Sequence, residues 1–340
     1  MSASAPVESA PPQPHTVSVI IPVYRGGDIF LNCLAGITAL APPPDEVRVT
    51  VDGEDDGSGA AAESIGAKVF RLPRRSGPAA ARNAGARAAQ GELLLFLDAD
   101  VVPNPALVAQ VRAAFQADPS LDALIGSYDD APGDPGFLSQ YRNLLHHYTH
   151  QTAEEQAHTF WGACGAVRRE VFIGVGGFDE RIEIPAMEDV ELGYRMSEAG
   201  HRIRLAKDIQ VKHLKRWDAL TMLRTDIFQR AIPWARLLLR QGRMRSDLNL
   251  RIEGRISAAL AWLLLGGAFA SPILPEAAYL ALAAAGGLLW LNAPLYRFFR
   301  DARGWAFAAR AIPWHWLYFL YGSAAFLFVL LEYRCEMLDK

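Results

Sequence analysis

The chain has almost no cysteine and almost no net charge. Cys33, Cys164 and Cys335 are the only three in 340 residues, and they stand far apart. They form neither a disulfide framework nor a paired metal knuckle, which points to a reducing compartment. A formal charge of −3 leaves no global basic footprint, so no nucleic-acid partner is expected. The opening MSASAPVESAPPQPH lacks both a basic start and an apolar core. Residues 1–15 are therefore expected to form a disordered tail, not a signal peptide.

What the chain has in excess is apolar surface, and most of it follows residue 255. Three uncharged stretches, 256–275, 277–296 and 311–331, are each about as long as one bilayer crossing needs. Pro272 and Pro275 close the first, Pro294 falls late in the second and Pro313 opens the third, places where a helix tolerates proline. Arg251 and Arg255 precede the first stretch. Arg297, Arg300, Arg303 and Arg310 separate the second from the third, while the SPILPE connection has no basic residue. The positive-inside rule then puts everything before 256 in the cytoplasm. The expectation is a multi-pass protein of the inner (cytoplasmic) membrane, with about three spans in 256–332 and a tail at 333–340. Residues 219–240 mix Leu, Ile, Phe and Trp with arginines, so 219–255 is expected to be an interfacial amphipathic linker.

Residues 16–218 show a different rhythm. VSVIIPVY (17–24), EVRVTVD (46–52), KVFRL (68–72) and ELLLFLD (92–98) are short β-rich runs, with Ala- and Leu-rich helical segments between them. Such alternation predicts an α/β domain with a mostly parallel sheet, helices on both faces and ligands at the carboxyl ends of the strands. Tyr24, Asp52, Arg71, Asp98 and Asp100 fall at those ends. Asp98 and Asp100, flanking Ala99, have no basic neighbour along the chain. Their mutual repulsion is resolved either by solvent at a strand-end turn or by a divalent cation, and oxygen ligands suit Mg²⁺ or Mn²⁺. In HHYTH, His146 and His150 stand one helical turn apart; without a third ligand the expectation is solvated helix surface.

VSVIIPVYRGG, VDGEDDGS, GPAAARNAGA, FLDADVVP, GGFDE and EDVELGYR together, in this order over 17–217, resemble the family 2 glycosyltransferases of the GT-A fold. The resemblance implies a Rossmann-like catalytic domain with a nucleotide-binding half at 16–103 and an acceptor half at 104–218. It implies that Pro22, Val23 and Tyr24 frame the base of a nucleotide sugar, expected to be a UDP-sugar. Asp52 either accepts from that base or caps a turn. Gly53 and Glu54 break the usual pattern here, leaving the role of Asp56 open. Arg82 and Asn83 reach toward nucleotide or carboxylates, or only pack. Asp98, Ala99 and Asp100 hold Mn²⁺ or Mg²⁺ and the diphosphate, with His213 as a further candidate ligand. Gly162, Ala163 and Gly165 let backbone approach the donor sugar, and Trp161 either stacks on a sugar or packs. Asp179 assists or caps.

At the start of a helix, Glu188 and Asp189 are either dipole-compensating acids or catalytic. The resemblance makes Asp189 the general base of an inverting transfer and Glu188 a partner that orients a hydroxyl. The basic run VKHLKRW (211–217) either closes over diphosphate or meets anionic headgroups. Gln229 is followed by RAIPW, so the QxxRW of polymer synthases is missing and single-sugar transfer is expected. The acceptor is expected at the membrane, as a lipid-linked glycan. The rival readings are transfer to a polyprenyl phosphate, and a silent membrane-bound nucleotide-sugar binder.

Overall fold

The computed structural model describes residues 15–182, 185, 187–241 and 252–338. Of the expected tails 1–15 and 333–340, residues 1–14 and 339–340 lie outside the described residues, as do Arg251 and 242–250 of the linker, while His15 hydrogen-bonds to Glu92 and 333–338 are helical. One sheet is built from β1 (Val17–Val23), β2 (Glu46–Asp52), β3 (Lys68–Leu72), β4 (Leu93–Leu97), β5 (Val101–Pro103), β6 (Ala123–Tyr128), β7 (Gln156–Ala157), β8 (Cys164–Arg168) and β9 (Ile203–His213). Its order is β3-β2-β1-β4-β8-β6-β9-β5, with β7 pairing on β9. The helices of the same region are α1 (Gly27–Thr38), α2 (Ser58–Ser64), α3 (Pro78–Ala88), α4 (Leu107–Ala117), α5 (Phe137–Thr152), α6 (Arg169–Gly174) and α7 (Glu188–Glu198). This is an α/β domain as the sequence predicts, with a mixed sheet where a mostly parallel one is expected. Strands β1 to β4 are mutually parallel, but β8 runs antiparallel to both β4 and β6, and β5 antiparallel to β9.

Alternation along the central strands sorts their side chains into two cores. Val17, Val19 and Ile21 of β1 join Leu93, Leu95 and Leu97 of β4 on one face. Ile20, Leu94 and Phe96 pack on the other with Phe160, Phe172 and Phe178. A strand covered by helices on both faces reads as a continuous apolar run, which explains LLLFL. It also delivers Asp98 and Asp100 just past the carboxyl end of a central, fully buried strand.

The remaining helices are α8 (Ala219–Arg224), a π-helical turn at Thr225–Ala231, α9 (Ile232–Gln241), α10 (Ile252–Ala270), α11 (Glu276–Leu291), α12 (Ala293–Arg303) and α13 (Trp305–Leu338). Two of them, α10 and α13, are long and apolar enough to cross a membrane. The expected second span, 277–296, falls on a bent pair: α11 ends at Leu291 and α12 departs at 63°, and the pair is long and apolar enough only if the two are taken as one broken span. Pro294 sits in the first turn of α12 and has no N–H to continue the ladder of α11, so it starts a helix instead of finishing one. The third, 311–331, lies within α13, and only the place of Pro313 differs from expectation. α13 begins at Trp305, and Pro313 lies inside it. The arginines assigned to a loop are helical, and two of them grip the catalytic region. Arg303 donates to Asp130 O at 2.5 Å and Gln140 Oε1 at 2.9 Å, and Arg310 lies 4.2 Å over the Phe137 ring. A third core joins Tyr141, Leu144 and Trp217 to Leu295, Phe299, Ala308 and Ala311. Packing is thus continuous across residue 218.

Candidate active site

Arg82 is the centre of the site. It lies on α3, is 4% exposed, and its guanidinium donates to Asp98 Oδ1 and Glu188 Oε1, each at 2.6 Å. The DxD turn after β4 and the first turn of α7 are thereby tied to one cation. The basic neighbour that Asp98 lacks along the chain is present in space. Gly162 makes room for it, since a Cβ there would stand 2.8 Å from Arg82 Cζ. The approach served by that glycine is therefore to a side chain of the protein itself. Burial opposes the Arg82 charge, but Asp98, Glu188 and Asp189 outweigh it and hold the pKa above its ordinary value.

Glu188 and Asp189 are both buried. Asp189 accepts from Gly162 N–H at 3.2 Å and Val190 N–H at 2.8 Å, while Met187 N–H donates to Glu188 Oε2 at 3.0 Å. Burial pushes both carboxyls above their ordinary range, against the pull of Arg82, and Asp189 adds to the rise at Glu188. A carboxyl whose pKa is raised is, once ionised, a stronger proton acceptor than an ordinary carboxylate.

Asp100 faces the other way. Its Oδ2 is 3.6 Å from His213 Nε2, and Leu214 N–H donates to its carbonyl at 2.8 Å. Burial would raise its pKa, but His213 and Lys215 reverse the sign. His213 is held flat on Tyr128, ring centroids 4.2 Å apart. Among the described residues, no three His, Cys, Asp or Glu side chains gather as a ready metal cage. Asp100 and His213 nonetheless offer an oxygen and a nitrogen donor side by side, with Asp98 two residues before Asp100. Mg²⁺ commonly needs only one or two carboxylates because substrate phosphates complete its shell. The donor set fits that use.

Nucleotide-side residues divide. Pro22 and Val23 end β1, and Tyr24 is exposed just beyond, its ring under the Arg75 guanidinium at 4.3 Å. Asp52 receives Ser76 N–H at 2.6 Å and Gly77 N–H at 3.0 Å, so its capping role is realised. The departure in VDGEDDGS has a structural content. Asp55 accepts from the N–H groups of Gly57 and Gly59 and from Arg71, and Asp56 accepts from Ser58 and from Gly27 N–H. Both start α2. Asn83 is a brace, exchanging hydrogen bonds with the Phe178 backbone at 2.8 and 2.9 Å. Gly177, at φ +70°, leaves space for the Asn83 side chain, whose Oδ1 a Cβ would meet at 2.7 Å. Asp179 binds Arg181 and its N–H, a local cap.

The histidine pair is a correction. His150 is buried, His146 half-buried, and both rings pack on Trp161. His150 Nδ1 bonds Gly126 O at 3.0 Å, and burial pushes its pKa down to about 4. These are neutral wall residues, and Trp161 packs against them instead of standing free. Sequence reasoning missed Tyr128, which ends β6 and would have been found by applying the strand-end rule to ALIGSY. It also missed Arg142 and Asp226, whose surroundings carry no local signal.

The family model described as Glycosyl transferase family 2 matches residues 18–176. A pre-mycofactocin glycosyltransferase of Mycobacterium tuberculosis (strain H37Rv) is 30% identical over 235 residues, covering 65% of this chain and 46% of that protein. A validoxylamine A glucosyltransferase of Streptomyces hygroscopicus subsp. limoneus is 27% identical over 272 residues, covering 67% and 59%. The chain thus spans about half the length of the curated relatives it matches. Among solved structures, a mannosyltransferase from Pyrobaculum calidifontis in complex with GDP-Man and Mn²⁺ superposes with a TM-score of 0.56 at 20% identity, over 95% of this chain and 90% of that one. That likeness shows the fold.

Proposed function

The chain carries a glycosyl transferase family 2 domain, and from that premise we propose that it is a membrane-anchored, inverting glycosyltransferase. It moves a sugar from a nucleoside diphosphate sugar to a hydroxyl of a lipid-linked glycan. The observation that carries this reading is the Arg82 bridge, which binds the DxD carboxylate and the Glu188–Asp189 pair into one site. Donor-side and acceptor-side chemistry are thereby held in register by one buried guanidinium.

Asp189 takes the proton of the acceptor hydroxyl as its oxygen bonds the anomeric carbon. The bond from that carbon to the phosphate oxygen breaks on the opposite face, and the diphosphate leaves with the electron pair, so configuration inverts. Glu188, locked on Arg82, fixes where Asp189 points. Asp98, Asp100 and His213 would hold Mg²⁺ or Mn²⁺, which supplies neutralisation of charge on the leaving diphosphate. Tyr24, at the end of β1, offers a stacking face for the base, and Asp52 shapes the loop beneath it. The gripping of Asp130 and Phe137 by Arg303 and Arg310 supports a catalytic domain held on the arginine-rich, cytoplasmic side of α10 and α13.

The test is a panel of nucleotide sugars incubated with purified full-length protein, with and without Mn²⁺ or Mg²⁺. Metal-dependent hydrolysis or binding of one donor is expected, and Asp100→Ala should abolish the metal dependence. Donor affinity indifferent to both metal and Asp100→Ala would overturn the assignment.

A further inference from the structure

The wall of the site nearest the apolar helices carries charge of the opposite kind. Asp226, on the π-helical turn, is 4% exposed. Its Oδ1 accepts from Arg142 at 2.9 Å and from Arg230 at 3.1 Å, and Tyr321 of α13 donates to its Oδ2 at 2.7 Å. One carboxylate between two guanidinium groups leaves a surplus positive charge. Arg142 and Arg230 are both partly exposed, so that charge is open to an anion from outside the protein. Lys215 adds to the surplus. Its ammonium lies 4.2 Å from the Trp217 ring centroid, and the Arg230 guanidinium lies 5.9 Å from the same ring. Burial lowers the Lys215 pKa, Asp100 and Asp98 oppose that, and Arg230 and Arg142 reinforce it. The three cations therefore share one field with the DxD turn.

Trp217 joins this cluster to an apolar feature. Its Nε1 is buried and has no hydrogen-bond partner. It also lines a groove of about 550 Å³ together with Phe137, Leu138, Arg310, Pro313 and Trp314. The groove runs between α5 and α13, one of the two helices long enough to cross a membrane.

We propose that Arg142, Arg230 and Lys215 form an anion subsite for the phosphate of a lipid-linked acceptor, whose apolar chain passes Trp217 into the groove between α5 and α13. The proposal rests on the reading that the chain glycosylates a membrane-held acceptor, and names what that acceptor must carry. A donor diphosphate would also suit three cations. It has no apolar chain, however, and would make no use of a groove that continues past Trp217 onto α13. The arrangement places a lipid phosphate against cations and its tail against aromatic and aliphatic surface, both at once.

The probe is farnesyl phosphate, titrated into full-length protein in zwitterionic nanodiscs, beside farnesol and inorganic phosphate. Farnesyl phosphate should bind at least tenfold more tightly than either. Arg230→Gln leaves the Arg142–Asp226 pair intact and should erase that preference, whereas Arg230→Lys, which keeps the charge, should restore most of it. Leu138→Gln should weaken farnesyl phosphate and leave inorganic phosphate unchanged. Equal affinity for farnesyl phosphate and farnesol, or an unchanged preference in Arg230→Gln of normal thermal stability, overturns the proposal. So does inorganic phosphate that binds as tightly as farnesyl phosphate and is displaced by nucleoside diphosphate, since the cations then serve the donor. Donor hydrolysis by the wild-type protein, measured in the same nanodiscs, reads the proposed catalytic function separately. Its absence with lipid binding intact would sink the transferase reading and not this subsite.

Discussion

Around Arg82, one guanidinium holds Asp98 and Glu188, with Asp189 beside them. Around Asp226, one carboxylate holds Arg142 and Arg230. The centre of each knot is buried and both leave a remainder, but the remainders have opposite sign. The first has spare negative charge and so attracts a metal ion or a proton. The second has spare positive charge and so attracts a phosphate. A reaction that separates a diphosphate from a sugar needs both kinds of place, and the chain builds them on different elements, with Lys215 in the field of both.

The largest expected effect comes from removing the basic atom of the acidic knot while keeping its shape. Asp189→Asn should lower the transfer rate by about 10²–10⁴-fold with donor affinity nearly unchanged, read as turnover beside donor binding. Near-normal turnover would take Asp189 out of the base role and favour an acceptor that arrives ionised. The raised pKa of Asp189 has a sign that can be checked in the same assay. The base must be deprotonated, so the wild-type rate should fall on acidification with a midpoint above the ordinary carboxylate range.

Next in size, Arg82→Met strips the cation from the same knot and leaves Glu188 buried and unpaired. Breaking a buried pair in this way costs about 3–5 kcal/mol, read as a fall in thermal or denaturant midpoint. An unchanged midpoint would mean that the bridge does not hold β4 and α7 together. Gly162→Ala is a gentler displacement of the same group, because it moves the guanidinium without altering any charge. Overpacking of this kind costs about 1–3 kcal/mol, and activity should fall further than stability does.

Glu46 provides the smallest effect and a balanced control. It takes Ser18 Oγ at 2.6 Å, Gln90 N–H at 2.6 Å and Arg48 at 2.9 Å. Burial raises its pKa, but these partners outweigh it and bring the value to about 2. A depressed folded-state pKa contributes stability that is present above the ordinary carboxylate range and is lost as pH falls toward about 2. Glu46→Gln should flatten that part of an acid-unfolding curve and leave stability at neutral pH lower. An unaltered acid limb would show that Glu46 is no stronger an ion-pair partner than a surface carboxylate.

What could be read in advance depends on how local the cause is. LLLFL followed by DAD is a strand and its end, so Asp98 and Asp100 were legible at once. EDVELGYR holds its acids at a helix start, which made Glu188 and Asp189 legible as a pair. Arg82 was visible only as a candidate, because its two partners lie 16 and 106 residues away. His146 and His150 were misjudged for a related reason. Their helical spacing is local, but Trp161, which covers them, comes from another part of the chain. Arg142, Asp226 and Tyr321 meet from three segments without any shared pattern. Strand direction in the second half of the sheet was equally hidden, since alternation tells which face a residue takes and not which way its strand runs.

Helix α13 is anchored at several points along its length. Phe307 packs on Phe137 of α5 with ring centroids 5.2 Å apart, Tyr321 bonds Asp226, Ser323 accepts from Trp262 of α10 at 2.9 Å, and Glu332 pairs with Arg236 of α9. A beam clamped at so many stations has little freedom to rock. The catalytic region and the apolar helices should then move as one rigid body, and substrate exchange has to be accomplished by loops at the rim, with no hinge between the two halves. A load carried by α13 would accordingly be passed to the groove that it forms with α5.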